Sequence, residues 1–300
     1  MLSPGLYTVA LFILMLSSCT GGGSPTTGGK LKVLATTSIV GNVVSQVGGD
    51  SIILSILMPV GTDPHDFQPR PQDATALSNA HLIFSNGAGL EGFLQPLLES
   101  TGSTVKLVEV SKGITLLALP GSDQPSGDPH TWMDPNNVII WTQNIAAALS
   151  AADPAHSVDY QANAEVYIAL LRDLDTWIRS EVAQISPQNR LLVADHAVLG
   201  YFAAQYGFTQ EGTITGSFSS EASPSAREVA KLEDKIHRLG VRAMFVSEAV
   251  NQSLADQIAA DTGIKSVWIY HATLTTSSGP AASYLEFMRY NVNAIVAALK

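Results

Sequence analysis

The tripeptide Asp-Pro-His occurs twice, as Asp63-Pro64-His65 and Asp128-Pro129-His130, in a chain with only 7 histidines. Proline restricts the preceding aspartate to extended backbone, so each copy presents an imidazole from a stiffened loop. Two more histidines, His196 and His271, follow short apolar runs of strand length at 191–194 and 267–270. Ligands of open α/β sheets gather beyond the carboxyl ends of strands, which is where these two imidazoles fall. Neutral imidazole suits a borderline-soft transition metal, and zinc takes four ligands, commonly histidine, at about 2.0–2.1 Å. The single cysteine, Cys19, rules out an intramolecular disulfide, so a metal site must use imidazole and carboxylate. Wide spacing of the four histidines excludes a local zinc-finger or His-Glu-x-x-His site. One histidine at a strand end is more often a hydrogen-bonded structural residue than a ligand. His81, His156 and His237 keep that structural reading, and the metal reading rests on the set of four.

Four such loops need a scaffold, and the apolar pattern supplies one. Strands are predicted at 31–36, 52–58, 81–85 and 105–110, with helices at 39–47, 72–79 and 90–98 between them. Alternation of this kind implies a mostly parallel sheet covered by helices. Asp153-Pro154 then offers an N-cap and a first-turn proline. Val158, Ala162, Val166, Leu170, Leu174, Ile178 and Val182 recur every four residues until Ser186-Pro187 ends the run. A helix over 153–186 would be about 45 Å long at 1.5 Å per residue, enough to act as a spine joining two lobes. Beyond it come strands at 191–194, 243–246 and 267–270 and helices at 200–206, 225–239, 254–262 and from 281 onward. The expected fold is α/β: an N-terminal lobe over 31–152, a linking helix over 153–186 and a C-terminal lobe over 187–300.

Composition bounds the function. With 300 residues, 46% hydrophobic and 14% charged, the chain can bury a large core. A formal net charge of -10 excludes a nucleic-acid partner, which needs clustered lysine and arginine, and favours cations. The apolar run at 6–16 is far short of the roughly 20 residues that span a bilayer, and small residues follow it. Leu16-Ser17-Ser18-Cys19 resembles the bacterial lipobox, whose cysteine becomes the lipidated first residue of the mature protein, although no Lys or Arg precedes the apolar run. Residues 1–19 thus read as a lipoprotein signal peptide with Cys19 as the lipidation site. The Gly-, Ser- and Thr-rich stretch 20–30 reads as a flexible tether.

Several segments together resemble the zinc/manganese solute-binding lipoproteins of ABC importers. They are 61–73 around His65, Leu82-Ile83-Phe84-Ser85-Asn86-Gly87 with Leu90-Glu91, and 128–135 around His130. Asp195-His196-Ala197 with Gly200-Tyr201-Phe202, Glu221-Ala222-Ser223-Pro224-Ser225 and Tyr290-Asn291 continue the match in order along the mature chain. The resemblance implies two α/β lobes joined by one rigid helix, a metal between them, and ligands at His65, His130 and His196. It also implies an extracytoplasmic monomer, lipid-anchored to the outer face of the membrane, that delivers its ion to an importer permease and is not an enzyme.

Manganese-selective members of that family tend to carry Glu where this chain has His196. Imidazole suits zinc and harder oxygen donors suit manganese, so Zn2+ is the expected cargo and Mn2+ the alternative. Two departures stand out. The segment 119–127 is short and lacks the histidines of many zinc members, and the carboxylate expected late in the chain falls at Ala272 in Tyr270-His271-Ala272-Thr273-Leu274. The adjacent His271 is expected to fill the place as fourth ligand. The competing arrangement is a three-histidine site closed by water or by Glu221 or Glu248. Two rivals belong to other classes: a zinc hydrolase using Glu221 or Glu248 as base, and a surface adhesin with a structural metal.

Overall fold

Strand and helix alternate through both halves of the computed structural model, which describes Met1 and residues 29–118, 127–215, 224–247 and 250–300. The first half runs β1 (Leu31–Ala35), α1 (Ser38–Gly48), β2 (Ile52–Ile56), α2 (Pro71–Asn79), β3 (Leu82–Ser85), α3 (Leu94–Thr101) and β4 (Lys106–Glu109). Two long helices follow, α4 (Pro135–Ala152) and α5 (Ser157–Val182). The second half runs β5 (Leu191–Ala194), α6 (Gly200–Tyr206), β6 (Thr209–Thr213), α7 (Ala226–Leu239), β7 (Ala243–Val246), α8 (Gln252–Thr262), β8 (Lys265–Trp268) and α9 (Tyr284–Leu299). Each half makes a four-stranded parallel sheet, ordered β2-β1-β3-β4 in one and β6-β5-β7-β8 in the other. The two orders are the same. The leader, the lipobox Cys19 and nearly all of the tether lie outside the described residues, as do Glu221, Glu248 and most of the segment 119–127. Among the described residues no helix is long and apolar enough to cross a membrane.

Central strands are apolar on both faces because helices cover both. Their two-residue period divides the side chains between different cores. Val33, Ala35, Leu82 and Phe84 of the first sheet face the same interior as Leu192, Ala194, Ala243 and Phe245 of the second. Leu34 and Ile83 point instead into an outer core under α2 and α3. Val193, Met244 and Val246 do likewise beneath α7 and α8. The common interior is filled by Trp141 of α4, Tyr160 of α5, and Tyr284 and Phe287 of α9.

The sequence differs from the structure at four instructive places. Helix α4 was not anticipated, although Asp134 caps it by accepting from the Asn136 N–H and Pro135 opens it. Its signal is the one that announces the next helix at Asp153-Pro154. Helix α5 has 26 residues, about 39 Å, and buries Tyr160, Ala164, Tyr167, Leu171, Leu174, Ile178 and Val182. Val158, Val166 and Leu170 of the expected stripe are exposed, at 81%, 65% and 42%. A strict spacing of four overshoots the 3.6-residue turn by about 40° per step, so the stripe winds from the solvent face to the core by Leu174. Strand β6, Thr-Gln-Glu-Gly-Thr, carries no apolar alternation because it is a sheet edge. Strand β8 ends two residues earlier than expected, at Trp268, which leaves His271 in the loop beyond it.

Candidate metal centre

All four singled-out histidines stand in loops that leave the carboxyl ends of parallel strands: β2 for His65, β4 for His130, β5 for His196 and β8 for His271. The two Asp-Pro-His copies fold alike. The His65 N–H donates to Asp63 Oδ1 at 2.9 Å, and the His130 N–H donates to Asp128 Oδ1 at 2.9 Å. Proline has no N–H to offer, so each aspartate reaches the next amide along and turns the histidine inward. Asp128 Oδ1 also lies 2.7 Å from His130 Nδ1. That contact assigns the proton to Nδ1 and leaves the Nε2 lone pair available to a cation, as in carboxylate–histidine–metal arrangements.

His196 is built in the same way by its own neighbour. Asp195 Oδ1 accepts from the His196 backbone N–H at 2.8 Å and lies 3.1 Å from its Nδ1. Asp195 Oδ2 accepts from Ser247 N–H at 3.1 Å and Ser247 Oγ–H at 2.6 Å, and lies 3.0 Å from His271 Nε2. Burial, the largest influence on Asp195, pushes its pKa up, but His271 and His196 outweigh it and hold the carboxyl well below its ordinary range. With Nδ1 committed, His196 Nε2 is buried and has no hydrogen-bond partner. An orphaned buried lone pair is what a bound cation would satisfy.

Three imidazoles converge on that atom. His65 Nε2 and His130 Nε2 are 3.0 Å apart, and ligand nitrogens of His65, His130 and His196 all lie within 4.8 Å of one another. Two nitrogens of a tetrahedral zinc site stand about 3.3 Å apart, given the Zn–N bond length, so the triangle needs little adjustment to close on an ion. Burial first, and then mutual repulsion with His130, lowers the His65 pKa to about 3. Burial and the neighbouring imidazoles hold His130 well below its ordinary value. Both rings are neutral at pH 7 and their lone pairs are available. Burial raises Asp128 to about 7.

His271 sits beside the triangle. Its ring meets His196 edge-on at 4.6 Å between centroids, and its Nε2 faces Asp195 and Ser247. It groups with Asp195 and His196, while the converging set is His65, His130 and His196. Ala272 is buried.

The segments 82–91 and 200–202 of the resemblance turn out to be supports. Glu91 accepts from Thr36 Oγ1–H at 2.6 Å, Asn86 N–H at 2.7 Å and Gly87 N–H at 3.1 Å, and Asn86 Nδ2 donates to the Pro129 carbonyl at 3.0 Å. The Tyr201 hydroxyl donates to the Asp128 carbonyl at 2.7 Å. A Cβ on Gly200 would meet Asp128 Oδ2 at 2.7 Å, so only glycine lets α6 approach the second Asp-Pro-His loop. Ser247 was missed in the sequence because it ends an ordinary apolar strand and no motif surrounds it.

The profile of the family described as zinc-uptake complex component A, periplasmic (ZnuA), matches residues 33–298. The chain belongs to this family. Its place is that of an extracytoplasmic metal-binding component of an ABC importer, and not of an enzyme, so the hydrolase alternative falls. It is 31% identical to a manganese-binding lipoprotein, MntA, of Halalkalibacterium halodurans, over 98% of this chain and 97% of that one. It is 31% identical to an iron ABC transporter substrate-binding lipoprotein, MtsA, of Streptococcus pyogenes, over 95% of this chain and 94% of that one. Among solved structures, the manganese-bound periplasmic metal-binding protein of candidatus Liberibacter asiaticus superposes with a TM-score of 0.81 at 26% identity, covering 90% of this chain and 100% of that one. The periplasmic zinc-binding protein TroA of Treponema pallidum, at 23% identity and a TM-score of 0.83 over 90% of this chain and 99% of that one, shares the fold.

Proposed function

We propose that this protein captures one transition-metal ion, zinc in preference to manganese, at the outer face of the membrane and delivers it to an importer permease. The observation that carries the reading is the convergence of the His65 and His130 imidazoles on the buried, partnerless Nε2 of His196. An all-nitrogen donor set suits zinc, whereas manganese prefers carboxylate and carbonyl oxygen. His65, His130 and His196 bind first. His271 supplies the fourth nitrogen by turning its ring off Asp195 and Ser247, which leaves Asp195 to orient His196. Lipid on Cys19 and the tether 20–30 hold the molecule near the permease. The manganese reading is favoured by the names of the relatives from Halalkalibacterium halodurans and Streptococcus pneumoniae, a manganese-binding and a manganese transporter lipoprotein.

The test is metal content and competition binding on the chain from Thr20 onward, compared with His271→Ala. One zinc bound in preference to manganese, with much of that affinity lost in the variant, supports the four-histidine carrier. Retention of zinc affinity in the variant removes His271 from the ligand set, and a preference for manganese overturns the metal assignment.

A further inference from the structure

The loops that carry His65 and His271 come from different lobes, yet a buried hydroxyl circuit ties them together. Gly61, four residues before His65 and at φ +86, donates its N–H to Thr273 Oγ1 at 3.0 Å. Thr273, two residues after His271, lies 3.1 Å from Ser38 Oγ at the start of α1 and donates to its neighbour's carbonyl, Leu274 O, at 3.1 Å. The Leu274 N–H donates to Ser38 Oγ at 2.9 Å.

Proton counting gives this circuit one direction. A hydroxyl has one hydrogen and two lone pairs. Thr273 spends its hydrogen on Leu274 O, so its two acceptor positions take the Gly61 N–H and the Ser38 hydroxyl. Ser38 in turn accepts from Leu274 N–H. Every member is satisfied and none can turn without orphaning another, and both side chains are buried, Ser38 at 5% and Thr273 at 4% exposure. The same C-terminal loop is held to the His130 loop by Trp132 Nε1, which donates to the His271 carbonyl at 2.7 Å. Three metal-facing loops are thereby registered to one another by bonds that use no imidazole nitrogen.

We propose that Thr273 is a positioning residue: its hydroxyl, with Ser38, latches the His65 loop to the His271 loop across the lobes and sets how long the ion stays bound. The proposal rests on the metal-carrier reading above. Of the three converging histidines His65 is the one that is not fully buried, so its loop is the side on which a latch can govern release. The latch acts on that loop at Gly61 without touching the ion.

Thr273→Val keeps the shape and removes the hydroxyl, Thr273→Ser keeps the hydroxyl, and Ile236→Val in the outer C-lobe core serves as a control for general destabilisation. Zinc-loaded mature chain is chased with EDTA to read dissociation, and Gly61 amide exchange is followed in the metal-free chain. Thr273→Val is expected to release zinc about tenfold faster and to speed Gly61 exchange by a similar factor. Thr273→Ser and Ile236→Val should stay within twofold of the unaltered chain. Should Thr273→Val fail to fold, Ser38→Ala is read in the same two ways with the same expectation. Dissociation within twofold of the unaltered chain in the hydroxyl-deleting variant, or a control that accelerates equally, overturns the proposal. If the unaltered chain binds no zinc, the carrier reading fails and residence time falls with it, while Gly61 exchange still decides whether the circuit couples the loops.

Discussion

The two lobes share a strand order and hold their histidines by different means. In the N-terminal lobe each histidine has its own aspartate two residues earlier, and Asp128 also lies against the ring of His130. In the C-terminal lobe a single carboxylate, Asp195, serves His196 and His271 together and is itself fixed by Ser247. One lobe therefore positions its imidazoles through loop backbone, separately; the other positions them through one shared, fully bonded anion. A shared anchor makes a stiffer and more costly point of failure.

That contrast ranks the variants. Asp195→Asn removes the anchor of two rings at once and should weaken zinc binding by about 100-fold in competition titration. Asp128→Asn frees only the His130 ring, and about tenfold is expected in the same titration. Equal losses from the two substitutions would erase the asymmetry between the lobes. Stability of the metal-free protein should also depend on pH. His65, at about 3 in the fold, stays neutral between pH 6 and pH 4.5 while the unfolded chain protonates it, and the lowered pKa of His130 works in the same direction. Asp128, at about 7, works the other way, since the folded state holds that proton first. Glu91 and Asp134, raised by burial, hold protons in the fold as Asp128 does. On acidification the two histidines therefore lower stability and the three carboxyls sustain it. In denaturant unfolding through this window Asp128→Asn should shift the slope toward loss by about 1.4 kcal/mol per pH unit relative to the unaltered chain, since one opposing proton is gone. The smallest effect is expected for Tyr201→Phe, which deletes the hydroxyl that steadies the Asp128 carbonyl; zinc affinity should fall by less than about fivefold.

Strand and helix alternation in the sequence predicts two lobes because central parallel strands must be apolar throughout, and 191–194 and 243–246 say so directly. The four candidate histidines stood out for a related reason, since they follow such strands or repeat a proline-stiffened tripeptide. Helix α4 was obscured because it is apolar on most of its surface, packed against α5, α1 and β4, and shows little helical alternation. The buried face of α5 could not be read from a spacing of four, since helical drift carries that series around the axis. Ser247, Ser38 and Thr273 left no local trace at all. Their roles arise where separate segments meet, Ser247 with Asp195 and Ser38 with Thr273, and a serine or threonine in isolation carries no mark of its eventual partner.

The interior that runs beneath both sheets has a consequence for how the molecule comes apart. Side chains from β1, β3, β5 and β7 and from α4, α5 and α9 fill one continuous volume, so neither half retains a complete apolar floor when the other is lost. The chain should melt in a single calorimetric step, with van't Hoff and calorimetric enthalpies in agreement, and a fragment ending before α5 should stay unfolded rather than persist as half of a protein.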